Sequence, residues 1–304
     1  MSKRLRIGTR DSELALWQAR KVQSLLQAGG QDTELMPVKS TGDLILDKPL
    51  YELGITGIFT KTLDVALLRK DIDLAVHSMK DVPTGLPRGI VQAAVLKRAN
   101  PLDILVHKGL DFLNAEGVVA TGSLRRKAQW LHRYPLHEIV DLRGNVNTRL
   151  QKLADHGWDA AIFAAAGLER IGLLPDRFST LQWMLPAPAQ GAMMVVAREG
   201  DTHALEALSG LNDPETERCT AVEREFLREL EGGCTAPIGA LAVEEQGRIR
   251  FRGGLFSLDG ARKVLVEKET NAEAISGFGR RCAREILDSG GGAILEEVRK
   301  TLSR

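Results

Sequence analysis

At 304 residues the chain is too long for one ordinary core, so two or three domains are expected. Hydrophobic residues at 43% and charged residues at 27% are the proportions of a folded protein and exclude a disordered one. The net charge of +1 gives no global basic field, which argues against a nucleic-acid partner and leaves any anion binding to locally placed Arg and Lys.

In chain order, RLRIG reads as a strand and is followed by a helix over about residues 13–28, with Ala15, Ala19, Val22 and Leu26 on one face. TELMPV is a second strand. A glycine-punctuated loop over residues 40–57 leads to a helix with Leu63, Ala66 and Leu67 inward. IDLAVHS and IVQAAVL are further strands. After Asn100-Pro101 the alternation repeats: strand GVVATGS, helix 124–132, strand EIVDLRG, helix 146–154, strand DAAIFAA and a short helix through Arg170. This pattern predicts α/β layers on a mainly parallel sheet. Asp213-Pro214 then starts a helix with Cys219, Val222, Phe226 and Leu230 on one face, which stops at Gly232-Gly233. Two hairpin signals, Gln246-Gly247 and Asp259-Gly260, and a closing pair of helices predict a small α+β domain with an antiparallel sheet.

The first twenty residues carry neither an unbroken apolar stretch nor a small-residue cleavage site, so no signal peptide is expected. The longest apolar runs fall well short of the roughly 20 residues that span a bilayer. Three widely spaced cysteines, without CxxC or a histidine at metal spacing, disfavour a disulfide framework and a zinc site. A reducing, cytoplasmic compartment is the expectation.

Three groups of residues carry candidate chemistry. Cys219 and Cys282 fall on inward helix positions and read as small core residues. Cys234 follows Gly232-Gly233 and precedes Thr235-Ala236-Pro237, a loop context in which a thiol can act as a nucleophile or an attachment site. The segment from His77 to Pro83 ends the strand IDLAV, where α/β sheets hold ligands. Its Lys80-Asp81 pair reads equally well as a solvated turn or as catalytic. Finally, basic residues recur near helix starts: Arg10 with Ser12, Ser123 with Arg125 and Arg126, and Arg143 with Arg149, while Arg170 lies near a helix end. Helix N-termini and arginine forks both suit carboxylates or phosphates. No Walker or GxGxxG pattern is present, which disfavours a nucleotide.

The segments RIGTRDSELALWQA, TGDLILDKPL, VHSMKDVPTGLP, TGSLRRKAQ, LRGNVNTRL, AAAGLERIGL, LPAPAQGA and LEGGCTAPIGA, in this order, closely resemble the porphobilinogen deaminase (hydroxymethylbilane synthase) family along the whole chain. The resemblance implies two α/β domains like type II periplasmic binding proteins, over residues 1–97 with 190–211 and over 98–189, and a C-terminal α+β domain over 212–304. It implies a monomer. It further implies a dipyrromethane cofactor attached to Cys234 through a thioether, priming the addition of four porphobilinogen units, each with loss of ammonia, before hydroxymethylbilane is released. Asp81 matches the family's catalytic carboxylate. Ser12, Lys80, Asp81, Ser123, Arg125, Arg126 and Arg143 match cofactor-binding positions, and Arg10, Ser12, Arg143, Arg149, Arg170 and Gln190 match substrate-binding ones. Glu52 and Thr56 stand where the family often has lysines, and Gly122 replaces a serine; Lys61 is retained. A periplasmic-type binding protein without chemistry would not need Cys234, and a transcriptional regulator would need a helix-turn-helix that the sequence does not offer.

Overall fold

The computed structural model describes residues 4–39, 60–230 and 236–302. Among these, the chain divides into two compact units: residues up to Ala99 together with Gly191–Glu217, and Asn100–Gln190 together with the residues from Arg218 onward.

In the first unit, β1 (Leu5–Arg10), α1 (Glu13–Ala28), β2 (Thr33–Val38), α2 (Lys61–Leu68), β3 (Leu74–Ser78) and β4 (Ile90–Leu96) are joined by β10 (Met193–Arg198) and α6 (Thr202–Ser209). The sheet runs β2-β1-β3-β10-β4. β1 is parallel to β2 and β3, whereas β10 is antiparallel to β3 and β4. Ala19, Val22 and Leu26 of α1 pack with Leu5, Ile7, Leu74 and Val76, as the helical spacing requires.

The second unit begins with β5 (Asp103–His107), β6 (Val118–Ala120), α3 (Leu124–Arg133), β7 (Glu138–Val140), α4 (Val146–Asp155), β8 (Ala160–Ala164), α5 (Ala165–Arg170) and β9 (Phe178–Thr180). Its sheet order is β7-β6-β8-β5-β9, with β6 parallel to β7 and β8, and β5 antiparallel to β8 and β9. The two sheets therefore share one plan. Each has a parallel trio and a fourth strand of opposite direction, β10 or β5, placed next to the chain's crossings between the units. The fifth strand, β4 or β9, again runs with the trio, so each sheet is mainly parallel as expected, with one reversed strand. This strand order is that of the type II periplasmic-binding-protein fold.

The same unit continues through α7 (Pro214–Glu229), whose later residues belong to it, into an antiparallel sheet β11-β12-β13 (Ile238–Glu245, Arg248–Phe256, Lys263–Asn271). α8 (Phe278–Ile286) and α9 (Gly292–Leu302) cover that sheet. Gln246 and Gly247 both have positive φ, 51° and 75°, which is the two-residue hairpin expected there. Cys219 and Cys282 lie in this core, and burial pushes the Cys282 thiol up to about 11, so it is an inert packing residue.

Candidate active site

In the first unit the carboxyl ends of the parallel strands β1 and β3 lie side by side, with Ile7 opposite Leu74 and Gly8 opposite Ala75. Arg10 closes β1, and Ser12 is the N-cap of α1 in extended backbone without a capping bond from its side chain. β3 ends in a single 3₁₀ turn, Met79–Asp81, held by Met79 N–H to the Ala192 carbonyl (3.0 Å) and Val82 N–H to the Met79 carbonyl (3.2 Å). Arg10, Ser12, Gln18, Thr60, His77, Ser78 and Asp81 line one cleft. Asp81 is half-buried, as is Lys80 beside it in the turn. Gln18 Nε2 donates to Ser78 Oγ (2.8 Å), fixing both side chains in the wall. His77 is buried, and its Nε2 has no partner among the described residues. Burial, with Arg10 nearby, pushes the imidazole down to about 4, so it is neutral at physiological pH. Neither Gln18 nor His77 carries a sequence signal of its own: Gln18 lies on the inward face of α1, and His77 falls within the motif around Asp81.

In the second unit the arginines lie in the segments that follow β6, β7 and β8. Ser123 caps α3, its Oγ 3.5 Å from the Arg126 N–H. Arg125 and Arg126 are buried, and both turn onto Asp103 at the start of β5. Arg125 Nη1 donates to Asp103 Oδ2 (2.7 Å), while Arg126 Nε and Nη2 donate to Oδ1 (3.1 and 2.8 Å). Burial alone would raise Asp103, but the two guanidinium charges and the Gln190 amide hold it well below the usual carboxylate range. The sequence offered no local signal for this acid, a single Asp in an apolar strand.

Gln190 is fully buried, and its amide donates to the Pro101 carbonyl (2.8 Å) and to Asp103 Oδ1 (2.9 Å), which places it beside the arginine pair. Arg143 is buried before Gly144, and Arg149 on α4 donates from Nε to the Gly144 carbonyl (2.7 Å), so one loop joins these two. Arg170 ends α5, where burial pushes its guanidinium down to about 10, still charged near neutrality. Gly122, the replaced serine, lies against the β7 side of the sheet: a Cβ there would sit 2.7 Å from the Leu142 carbonyl oxygen. Cys234, Glu52 and Thr56 lie outside the described residues. Among the described residues no cluster suited to a metal ion is found, and no helix is long and apolar enough to cross a membrane.

Two family models match the chain: "Porphobilinogen deaminase, dipyromethane cofactor binding domain" over residues 5–206 and "Porphobilinogen deaminase, C-terminal domain" over 216–288. The porphobilinogen deaminase of Rubrobacter xylanophilus is 46% identical over 303 residues, covering 98% of this chain and 99% of that protein. That of Syntrophomonas wolfei is 42% identical, covering 97% and 99%. Among solved structures the methionine-binding protein MetQ aligns with a TM-score of 0.45 and 15% identity, over 73% of this chain and 93% of that one. Matches of this length and identity, over both the cofactor-binding and the C-terminal regions, make the chain a member of the porphobilinogen deaminase family.

Proposed function

We propose that this chain is a hydroxymethylbilane synthase: it joins four porphobilinogen molecules head to tail, with loss of ammonia, on a dipyrromethane primer and releases hydroxymethylbilane. The observation that carries this reading is the cleft where Asp81 faces Arg10 and Ser12. Its donor set fits pyrroles bearing acetate and propionate groups. Asp81 offers an acceptor for a ring N–H, Arg10 and Ser12 offer donors for a carboxylate, and the buried His77 nitrogen leaves hydrogen-bonding capacity unused by the described residues.

When bound, the primer supplies the free pyrrole carbon to which each unit is added. The work of the chain is positional and electrostatic. The Asp81 carboxylate stabilises the positive charge that develops on a pyrrole as ammonia leaves its aminomethyl carbon, and it can take up the ring proton lost after the new C–C bond forms. Lys80, Ser123, Arg125, Arg126 and Arg143 hold the primer's carboxylates, while Arg10, Ser12, Arg149 and Arg170 orient the incoming unit and the growing chain. Arg125 and Arg126 have five N–H donors each, and the bonds to Asp103, Leu185 and Ile162 leave some of these for a ligand. Cys234 is the thioether anchor. The three domains of the sequence reading, 1–97 with 190–211, 98–189 and 212–304, are the working units of a cytoplasmic monomer in this proposal.

Denaturing mass spectrometry provides the test. The purified protein should carry a mass excess of two pyrrole units on the Cys234 peptide. A folded protein that stays unmodified after incubation with porphobilinogen would overturn the proposal.

A further inference from the structure

The arginine pair on α3 is held from behind by an unusually complete set of bonds, and the same short segment that supplies part of it reaches the C-terminal sheet. The Leu185 carbonyl accepts from Arg125 Nη1 (2.7 Å) and Gln129 Nε2 (2.9 Å), and Leu185 N–H donates to Gln129 Oε1 (2.8 Å). One residue on, the Pro186 carbonyl accepts from Ala240 N–H of β11 (2.9 Å). Ala189 N–H donates to Glu223 Oε2 (2.6 Å), and the other oxygen of that fully buried carboxylate accepts from Ala242 N–H, also in β11 (2.7 Å). Gln190 then returns to Asp103. β11 starts at Ile238, four residues after Cys234 in the chain.

Asp103 is the centre of this bracket. Its Oδ1 accepts from Arg126 and Gln190 and its Oδ2 from Arg125, all within one fully buried carboxylate. Arg125, held through Nη1 by Asp103 and the Leu185 carbonyl, and Arg126, held through Nε and Nη2 by Asp103 and through Nη1 by the Ile162 carbonyl, cannot swing, so the N–H donors they have left are presented in one orientation before any ligand arrives. Without Asp103, two buried cations would face each other with no counter-charge between them.

We infer that Asp103 is a positioning residue for primer assembly: through Arg125, Arg126 and the 185–190 segment it holds the carboxylate-binding pair in fixed register with the strand that follows Cys234. This rests on the proposed synthase function, and the two can fail separately. Asp103 itself is fully buried and acts through the residues it binds.

The experiment compares wild type, Asp103→Asn, Asp103→Glu and Gln190→Met, each expressed as the full chain and taken from the monodisperse folded fraction. Primer content is read by denaturing mass spectrometry, with KM and kcat for porphobilinogen measured alongside. Wild type without primer would sink the functional proposal and leave nothing for Asp103 to position. With wild type loaded, Asp103→Asn should load at least ten-fold less primer, and Asp103→Glu, which restores the charge, should recover part of it. Gln190→Met, which keeps the ion pairs and removes the amide's bonds to Asp103 and the Pro101 carbonyl, should lower loading two- to five-fold, and it decides the matter if Asp103→Asn does not fold. A purely structural role would lower the unfolding midpoint of these variants while leaving the folded fraction fully loaded with unchanged KM and kcat; that result overturns the inference.

Discussion

Asp81 and Gly122 make opposite demands on the same kind of position, the first residues beyond a parallel strand. The turn around Asp81 is built from backbone bonds of Met79 and Val82, none of which uses the Asp81 side chain. Asp81→Asn should therefore keep stability within about 0.5 kcal/mol. It should lower turnover by a factor on the order of 10²–10⁴, because a neutral amide stabilises a developing cation poorly and takes no proton. Steady-state rates and an unfolding curve on the same sample check both halves, and near-normal turnover would remove Asp81 from its role. At Gly122 the demand is steric. The Leu142 oxygen lies 2.7 Å from where a Cβ would be, and the backbone carbonyl of a buried residue yields less readily than a side-chain tip. Restoring the serine common in the family, Gly122→Ser, should thus cost about 1–3 kcal/mol by overpacking. Urea unfolding measures it; a neutral or stabilising result would mean that the backbone at Leu142 gives way easily.

The hairpin from β12 to β13 shows how one element couples to another. Its tip, Gly260, has φ 75° and packs against α3: a Cβ would meet His132 N at 2.5 Å and the Ala128 carbonyl at 2.6 Å. The Gly260 carbonyl also lies 2.7 Å from His132 Nδ1, so the C-terminal end of the arginine helix is fastened to the C-terminal sheet. Gly260→Ala combines left-handed strain with a backbone clash and should lose at least about 2 kcal/mol, read from the chemical unfolding midpoint. A variant with an unchanged midpoint would show that the tip can lift off without consequence. The hairpin signals, α1, α7 and the inward cysteines were all legible in the sequence, because local turn chemistry and helical spacing determine them. β5, β9, β10 and α6 were not. MMVVA is a continuous apolar run without alternation, and nothing local says that it enters a sheet begun more than a hundred residues earlier as an antiparallel strand. The site divides in the same way. Motifs located Arg10, Ser12 and Asp81, whereas Asp103, Glu223 and the bonds of Gln190 depend on contacts between distant segments that no spacing rule encodes.

Across the whole molecule, pH acts through groups that folding holds in one charge state. Asp73, bound by Arg6 and Arg198, and Asp103 both sit well below the usual carboxylate range, so the stability they contribute is present above about pH 4 and is lost as they protonate in stronger acid. His77 works at higher pH. Unfolded, its imidazole gains a proton below about 6.5; folded, burial and Arg10 keep it neutral down to about 4. Between those values the unfolded chain binds the extra proton, so stability falls with acidification across about 2.5 pH units, worth about 3 kcal/mol at full burial. Unfolding free energy should consequently decline from pH 6.5 towards 4, before the aspartates titrate. His77→Asn, which keeps a polar group but cannot titrate, should flatten that slope whatever it does to stability at pH 7. The comparison of slopes, from urea unfolding at several pH values, isolates the imidazole from its packing. An equal slope in both proteins would show that His77 reaches water or a counter-charge in the folded chain, and with that its place as an unpartnered nitrogen in the wall beside Asp81 would fall.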